Sequence, residues 1–545
     1  MSNQRPPASY YEDTQLACFP YAVGHGAEGV CLLVRMGPHR ILLDCGLTDI
    51  SPLIAEGQAP ADLVLCSHAH GDHAQGLLAL HEAFPRLPIY ASEVTTQLLP
   101  LNWSELPYQK IPRFCQALPW RSPVEFAEGL SAELFPAGHL PGAAGFLLTY
   151  TTPRKTYRTL YTGDFFLSNS RLVEGLSIES LRGIQPDVLI IEGSFGTARH
   201  PHRRQQENQL VERLAQAIAN NTSVLLPVPT LGLGQEILML LRSHHHFTGR
   251  NLDIWVDGSI ATGCDAYLEL LSHFPTSVQN FARHQPLFWD ERVRPRVRRL
   301  DERQRNSIAQ SPCVVLTDET ADFSEYYNPN FEPPLILLPE QPRYSPRSDE
   351  AELIDADTYL LSQHSDRLGT TQLIHNLRPQ HVVFVHGSPT YLSDLTGLEE
   401  LQNRYHLHSP SAGTLVELPI GETFIQPAAP VETNYEGELT ELGTVVTIAL
   451  PEAIAADPRW SGFADTGLVE ARWQGEELVL RGLSQKELLS QGTSAKVPLN
   501  IDCCGNCRHQ RGQRCWNPAS PLYGFKVTPE GYCPVFEPTE PAQET

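Results

Sequence analysis

No apolar run in this 545-residue chain approaches the roughly 20 residues that a membrane-spanning helix needs. Met1 to Thr14 is polar and proline-bearing, without the charged and apolar regions of a secretory leader, so a cytoplasmic location with no membrane association is expected. Positive charge is also scarce, with 40 Lys and Arg against 63 Asp and Glu and a net charge of -23. Such a balance argues against indiscriminate binding to nucleic acid, so any polyanionic substrate must be met by a local basic patch. A composition of 41% hydrophobic and 19% charged residues fits a soluble globular chain, long enough for three or four domains. Cysteine is unevenly used: seven of the 12 are scattered up to Cys313, mostly in apolar contexts, and read as reduced core thiols. The other five crowd between Cys503 and Cys533.

What is present is histidine in a telling place. The apolar run Leu63-Val64-Leu65-Cys66 leads into Ser67-His68-Ala69-His70-Gly71-Asp72-His73. Three imidazoles and a carboxylate directly after a buried strand are costly unless a metal satisfies them. His68 and His70 fall on one side of an extended segment, whereas the adjacent Asp72 and His73 must point apart, so one loop can feed two neighbouring ions. Nitrogen and oxygen donors without thiolate suit zinc, with manganese or iron as alternatives. The same grammar recurs up to Phe195, where apolar runs end at Asp44, His139, Asp164 and Glu192. Strands would then serve as rigid supports and the loops past their ends would carry the chemistry.

Between about 197 and 348 the texture becomes alternating helices and strands, as expected of an inserted α/β domain. It holds the strongest basic run, with Arg292, Arg294, Arg296, Arg298 and Arg299, followed by Arg303 and Arg305. That run reads either as a solvated helix face or as a surface that tracks phosphates. After Asp349 the strand-then-histidine pattern returns at Ser362-Gln363-His364-Ser365-Asp366 and at Val385-His386-Gly387. Residues 431–498 alternate apolar and polar side chains and read as a small β-rich domain. In 499–545, Cys504-Gly505-Asn506-Cys507 with Cys515 and Cys533 suggests a closed four-cysteine zinc site. A redox pair or an iron–sulfur cluster is the alternative, and the fifth cysteine leaves the ligand set open.

His68-Ala-His70-Gly-Asp72-His73, with Asp44 upstream and His139 and Asp164 downstream, resembles the metallo-β-lactamase superfamily. Glu192 in Ile-Glu-Gly-Ser, His364 in Ser-Gln-His-Ser-Asp and His386 in Val-His-Gly look like motifs A, B and C of its β-CASP nucleases, the group of ribonuclease J and the cleavage and polyadenylation endonuclease. Pro229 to Glu236 resembles the strand-to-helix turn of that group. The resemblance spans roughly residues 15 to 425. It implies an α/β fold, an αβ/βα sandwich (15–196 and 349–425) interrupted by a β-CASP domain (197–348).

Carried over by position, the resemblance implies two Zn(2+) ions, one held by His68, His70 and His139 and the other by Asp72, His73 and His386, with Asp164 between them. Asp44 would stand behind a ligand histidine. His364 would be the general acid, oriented by Glu192, with Asp72 counted in the same catalytic group. The expected activity is hydrolysis of RNA phosphodiesters by a zinc-activated hydroxide. Alternatives are hydrolysis of another phosphoester or small ester, or a noncatalytic RNA-binding scaffold, with a homodimer or protein partner engaged through the C-terminal extension. Two departures stand out. Leu233 replaces the arginine of the usual Gly-Arg, and Leu316 to Phe323 brings Asp318 and Glu319 where the group has Ser-Gly-Met. Both weaken the case for ordinary RNA affinity without touching a metal ligand.

Overall fold

The computed structural model describes residues 16–26, 28–301, 305, 311–327, 332–340, 356–421 and 424, strands within 440–482, and parts of 504–538. The chain forms two compact units, 1–430 and 431–545, each taken by itself below.

In the first unit the first sheet contains β1 (Leu16–Val23), β2 (Val30–Met36), β3 (His39–Leu43), β4 (Leu63–Leu65), β5 (Ile89–Ser92) and β6 (Cys115–Leu118). The second sheet begins with β7 (Val124–Ala127), β8 (Leu130–Pro136), β9 (Ala144–Thr151), β10 (Thr156–Tyr161) and β11 (Val188–Glu192). The inserted sheet follows, with β12 (Val224–Val228), β13 (Asp253–Val256), β14 (Arg296–Arg299), β15 (Val314–Asp318), β16 (Leu335–Pro339) and β17 (Ala356–Tyr359). The chain then returns through β18 (His381–Val385) and β19 (His406–His408) to the second sheet and β20 (Val416–Glu417) to the first. The first sheet runs β20-β1-β2-β3-β4-β5-β6 and the second β19-β18-β11-β10-β9-β8-β7.

Alternation along the strands explains the sandwich, because successive side chains point to opposite faces. Leu32 and Val34 of β2 join Leu134, Phe146 and Ile190 of the second sheet in one buried cluster. Leu33, Leu42, Leu147 and Leu189, facing the other way, pack in a cluster that includes helix residues such as Leu77 and Leu373. Sheets buried on both faces read as nearly continuous apolar runs, and these do.

The inserted sheet is parallel throughout, in the order β14-β13-β15-β12-β16-β17. Because β17 pairs with β16, this sheet reaches Tyr359, beyond the boundary expected at 348. The apolar step before Ser362, which reads in sequence like the resumed sandwich, closes the inserted sheet instead. The carboxyl ends of β12, β15, β16 and β17 lead into Pro229, Glu319, Glu340 and Leu361, which line a cleft shared with the histidine loop. Open parallel sheets present ligand crevices at that end of their strands. In the second unit the described strands form hairpins, among them Val469–Gln474 with Glu477–Gly482 and Gln510–Arg511 with Arg514–Cys515.

Candidate metal centre

β4 delivers the histidine loop, and a single helical turn, Gly71–Ala74, swings Asp72 and His73 away from His68 and His70. Backbone crowding fixes that turn: a Cβ at Gly46 would lie 1.7 Å from the Asp72 carbonyl oxygen. Asp44 and His386, at the ends of β3 and β18, both hold left-handed backbone, φ 57 and φ 55. Such non-glycine conformations cost on the order of 1–3 kcal/mol each and concentrate where function requires them.

The side chains of the sandwich's two halves converge. His68 Nε2 lies 3.2 Å and His139 Nε2 3.1 Å from His70 Nδ1. Asp164 Oδ2 is 3.6 Å from His68 Nε2 and 3.8 Å from His139 Nε2. The other oxygen, Asp164 Oδ1, is 3.3 Å from His73 Nε2 and 3.2 Å from His386 Nδ1. His386 Nε2 in turn lies 3.3 Å from Asp72 Oδ2. Asp164 therefore faces both groups, one oxygen to each.

These residues fit a pair of cations. Ring nitrogens bound to one zinc at 2.0–2.1 Å in tetrahedral geometry stand about 3.3 Å apart, close to the spacing seen. His73 Nε2 and both Asp164 oxygens are buried without a hydrogen-bond partner, an arrangement that a bound cation would satisfy. The remaining ring nitrogens are spoken for. His73 Nδ1 meets Asp44 Oδ2 at 2.7 Å, His139 Nδ1 meets the Gln363 carbonyl at 2.9 Å, and His70 Nε2 meets the Leu231 carbonyl at 3.2 Å. Such bonds fix the tautomer and aim the ligating nitrogen. Among the described residues, the groups of His, Cys, Asp and Glu that could hold an ion all belong to this centre.

Electrostatics keep the imidazoles of the first cluster neutral, as ligation requires. Burial pushes the imidazoles of His68 and His139 well below the usual range, and that of His70 down to about 4, so all three are neutral donors at pH 7. For His73 burial acts in the same sense, but Asp164, Asp72 and Asp44 together overcome it and raise the value well above normal. Burial would raise Glu192, yet the neighbouring His364 brings it down to about 2.

Glu192 is wholly engaged. Its Oε1 accepts from the Phe165 backbone N–H at 2.6 Å, and its Oε2 faces Ser194 Oγ and, at 2.9 Å, His364 Nδ1. His364 Nδ1 lies 3.7 Å from Asp164 Oδ2, and His364 itself lines the cleft, whose volume is ≈ 620 Å³. Among the described residues no lysine or arginine lines this cleft, whereas Asp318, Glu319 and Glu340 do.

The basic run lies apart from that lining. Residues 296–299 form a strand, not a helix face, and Arg292, Arg296, Arg298 and Arg299 pair with Asp290, Asp253, Glu291 and Asp265. Arg294 is exposed. In the second unit Cys504 and Cys515 are buried and Cys507 is half-buried; Cys533 lies outside the described residues.

Several contributors escape a reading of the sequence. Ser67 donates to Asp44 Oδ2 at 2.8 Å, and Tyr161 OH donates to the same oxygen at 2.6 Å. Ser194 Oγ sits 2.7 Å from His386 Nδ1. Its place two residues after Glu192 is a usable signal, but the carbonyls of Leu231 and Gln363 leave no trace in side-chain identity.

Fold and site together define a metallohydrolase built around two buried His/Asp clusters. The chain belongs to the metallo-β-lactamase superfamily: residues 39–225 match the beta-lactamase superfamily domain, and residues 354–404 match the Zn-dependent metallo-hydrolase RNA specificity domain. It is 52% identical over 539 residues to an uncharacterized protein of Synechocystis sp., covering 96% of this chain and 97% of that one. It is 26% identical over 305 residues to an RNase J-like protein of Methanocaldococcus jannaschii, covering 53% of this chain and 67% of the relative. A ribonuclease of Thermus thermophilus is 29% identical over 280 residues, covering 48% of this chain and 62% of that one.

Proposed function

We propose that this protein is a metal-dependent ribonuclease that hydrolyses phosphodiester bonds at the Asp164 centre. The observation that carries the reading is His364. Its Nδ1 is held by Glu192 at 2.9 Å while the residue lines the cleft beside the ligands. Two divalent ions, zinc by the chemistry of the donors, would supply a water acidic enough to deprotonate near neutral pH and would neutralise the nonbridging oxygens of a phosphate. His68, His70 and His139 would hold one, and Asp72, His73 and His386 the other, with Asp164 donating to both. With Nδ1–H given to Glu192, a proton carried on His364 Nε2 would go to the leaving 3′ oxygen, typically worth about 10² to 10⁴ in rate. Phe165 and Ser194 hold Glu192 in place for that task. The match to an RNA specificity domain and the ribonuclease relatives support RNA as substrate.

A second reading rests on the cleft wall. Without lysine or arginine, and with Asp318, Glu319 and Glu340, the cleft favours a substrate carrying little charge beyond the reacting group, such as a short phosphoester or small ester. The full donor set speaks against a noncatalytic scaffold. The test is hydrolysis of a labelled RNA by zinc-loaded protein beside His68→Ala and His364→Ala. Equal degradation by all three overturns the proposal, and cleavage of small phosphoesters without RNA selects the second reading. At the C-terminal cysteines we propose a structural zinc, and elemental analysis of reduced protein should find a third equivalent.

A further inference from the structure

The groups that hold the His364 loop come from the first helix of the inserted domain, Arg203–Ala219. Ser362, two residues before His364, is gripped at both backbone polar groups. Gln206 Oε1 accepts from its N–H at 2.8 Å, and Arg203 Nη1 donates to its carbonyl oxygen. The Ser362 hydroxyl then donates to the His364 carbonyl at 2.7 Å and accepts from the His364 N–H at 3.3 Å. Arg203 is itself buried, 3.6 Å from Glu207 and 3.8 Å from Glu236. Glu236 accepts from Ser170 Oγ, Arg171 N and Leu172 N at 2.7, 2.8 and 2.9 Å, which ties down the segment that follows Asp164.

A buried ion pair adds little net stability, because desolvation offsets most of the attraction. Its geometric effect is larger, since hydrogen bonds to a backbone carbonyl and amide leave the loop one register. We infer that Arg203 and Gln206 are positioning residues for proton donation: through Ser362 they set where the His364 imidazole points. The inserted domain thereby completes the reaction centre of the sandwich. This rests on the reading of His364 as the proton donor.

The step itself defines the test. Water gives one proton to solvent and its hydroxide oxygen bonds to phosphorus, the bond from phosphorus to the leaving oxygen breaks, and the proton on His364 goes to that oxygen, leaving a neutral imidazole. A ribose oxygen needs the proton; a p-nitrophenolate leaving group does not, since it departs as a stable anion. Zinc-loaded full-length wild type, His364→Ala, Ser362→Ala, Gln206→Leu and Arg203→Met are compared on an RNA oligomer and on bis(p-nitrophenyl) phosphate. Ser362→Ala and Gln206→Leu remove no charge, so they carry the test if Arg203→Met, which takes away the buried cation facing Glu207 and Glu236, fails to fold.

The expected result is a loss in kcat of about 10²-fold on RNA for the clamp variants, with KM and zinc content unchanged and the aryl diester affected far less. Equal losses on both substrates, or no loss on RNA, overturn the inference. If His364→Ala shows the leaving-group selectivity and the clamp variants do not, the clamp alone fails. If His364→Ala shows none, the proton-donor reading fails and takes the clamp with it.

Discussion

Asp44 Oδ2 accepts from His73 Nδ1 at 2.7 Å, and both side chains are fully buried. The carboxylate also takes hydrogen bonds from Ser67 and Tyr161, so it is immobilised from three directions. Asp44→Asn should keep the fold but weaken zinc binding by about 10- to 100-fold, as expected when the group behind a ligand histidine is lost. Competition titration with a chelating dye measures it; unchanged affinity would mean that the aspartate merely fills space.

Asp164 faces both clusters and has no hydrogen-bond donor of its own. Zinc that binds only the folded state stabilises it by roughly 2.7 kcal/mol at a hundredfold excess over Kd. The thermal transition of wild type should therefore rise on adding zinc, and Asp164→Ala should lose most of that rise. A full rise in the variant would place the ions elsewhere.

The pH dependence has a definite sign in chelated protein. His68, His70 and His139 are depressed in the folded state, His70 to about 4, against an unfolded value near 6.5. The unfolded chain takes up protons first, so stability is lost as pH falls from about 6.5 toward 4. His73, raised in the folded state, acts in the opposite sense above pH 6.5 and does not cancel this window. Denaturant midpoints at pH 7, 6 and 5 should fall in that order, and a flat series contradicts the burial argument.

The cleft predicts weak ionic steering. Single-stranded nucleic acid loses affinity with a log–log salt slope of about -0.7 per phosphate neutralised. With no lysine or arginine among the described lining residues, the slope for RNA should be shallow. Replacing Asp318, Glu319 and Glu340 by their amides should tighten RNA binding. A steep slope would reveal a basic path outside this cleft.

Much of the centre is legible in sequence because each donor follows an apolar strand, as His68 follows β4 and His386 follows β18. The same holds for the inserted domain, where the expected alternation of helices and strands opens with the helix Arg203–Ala219 and β12. What is not legible is long-range or carried by backbone. Arg203 reaches Ser362 across 159 positions, and Leu231 orients His70 with a carbonyl that any residue would supply. The arginine run misleads because charge density suggests a helix face, whereas Arg296-Val297-Arg298 alternates with the period of a strand and Val297 is buried.

Turnover of a defined RNA by zinc-loaded wild type and by His364→Ala tests the account most directly. Zinc-dependent hydrolysis that falls by about 10² to 10⁴ in the variant, with zinc content unchanged, is the predicted result. Equal rates for the two proteins, or activity that survives chelation, would contradict it.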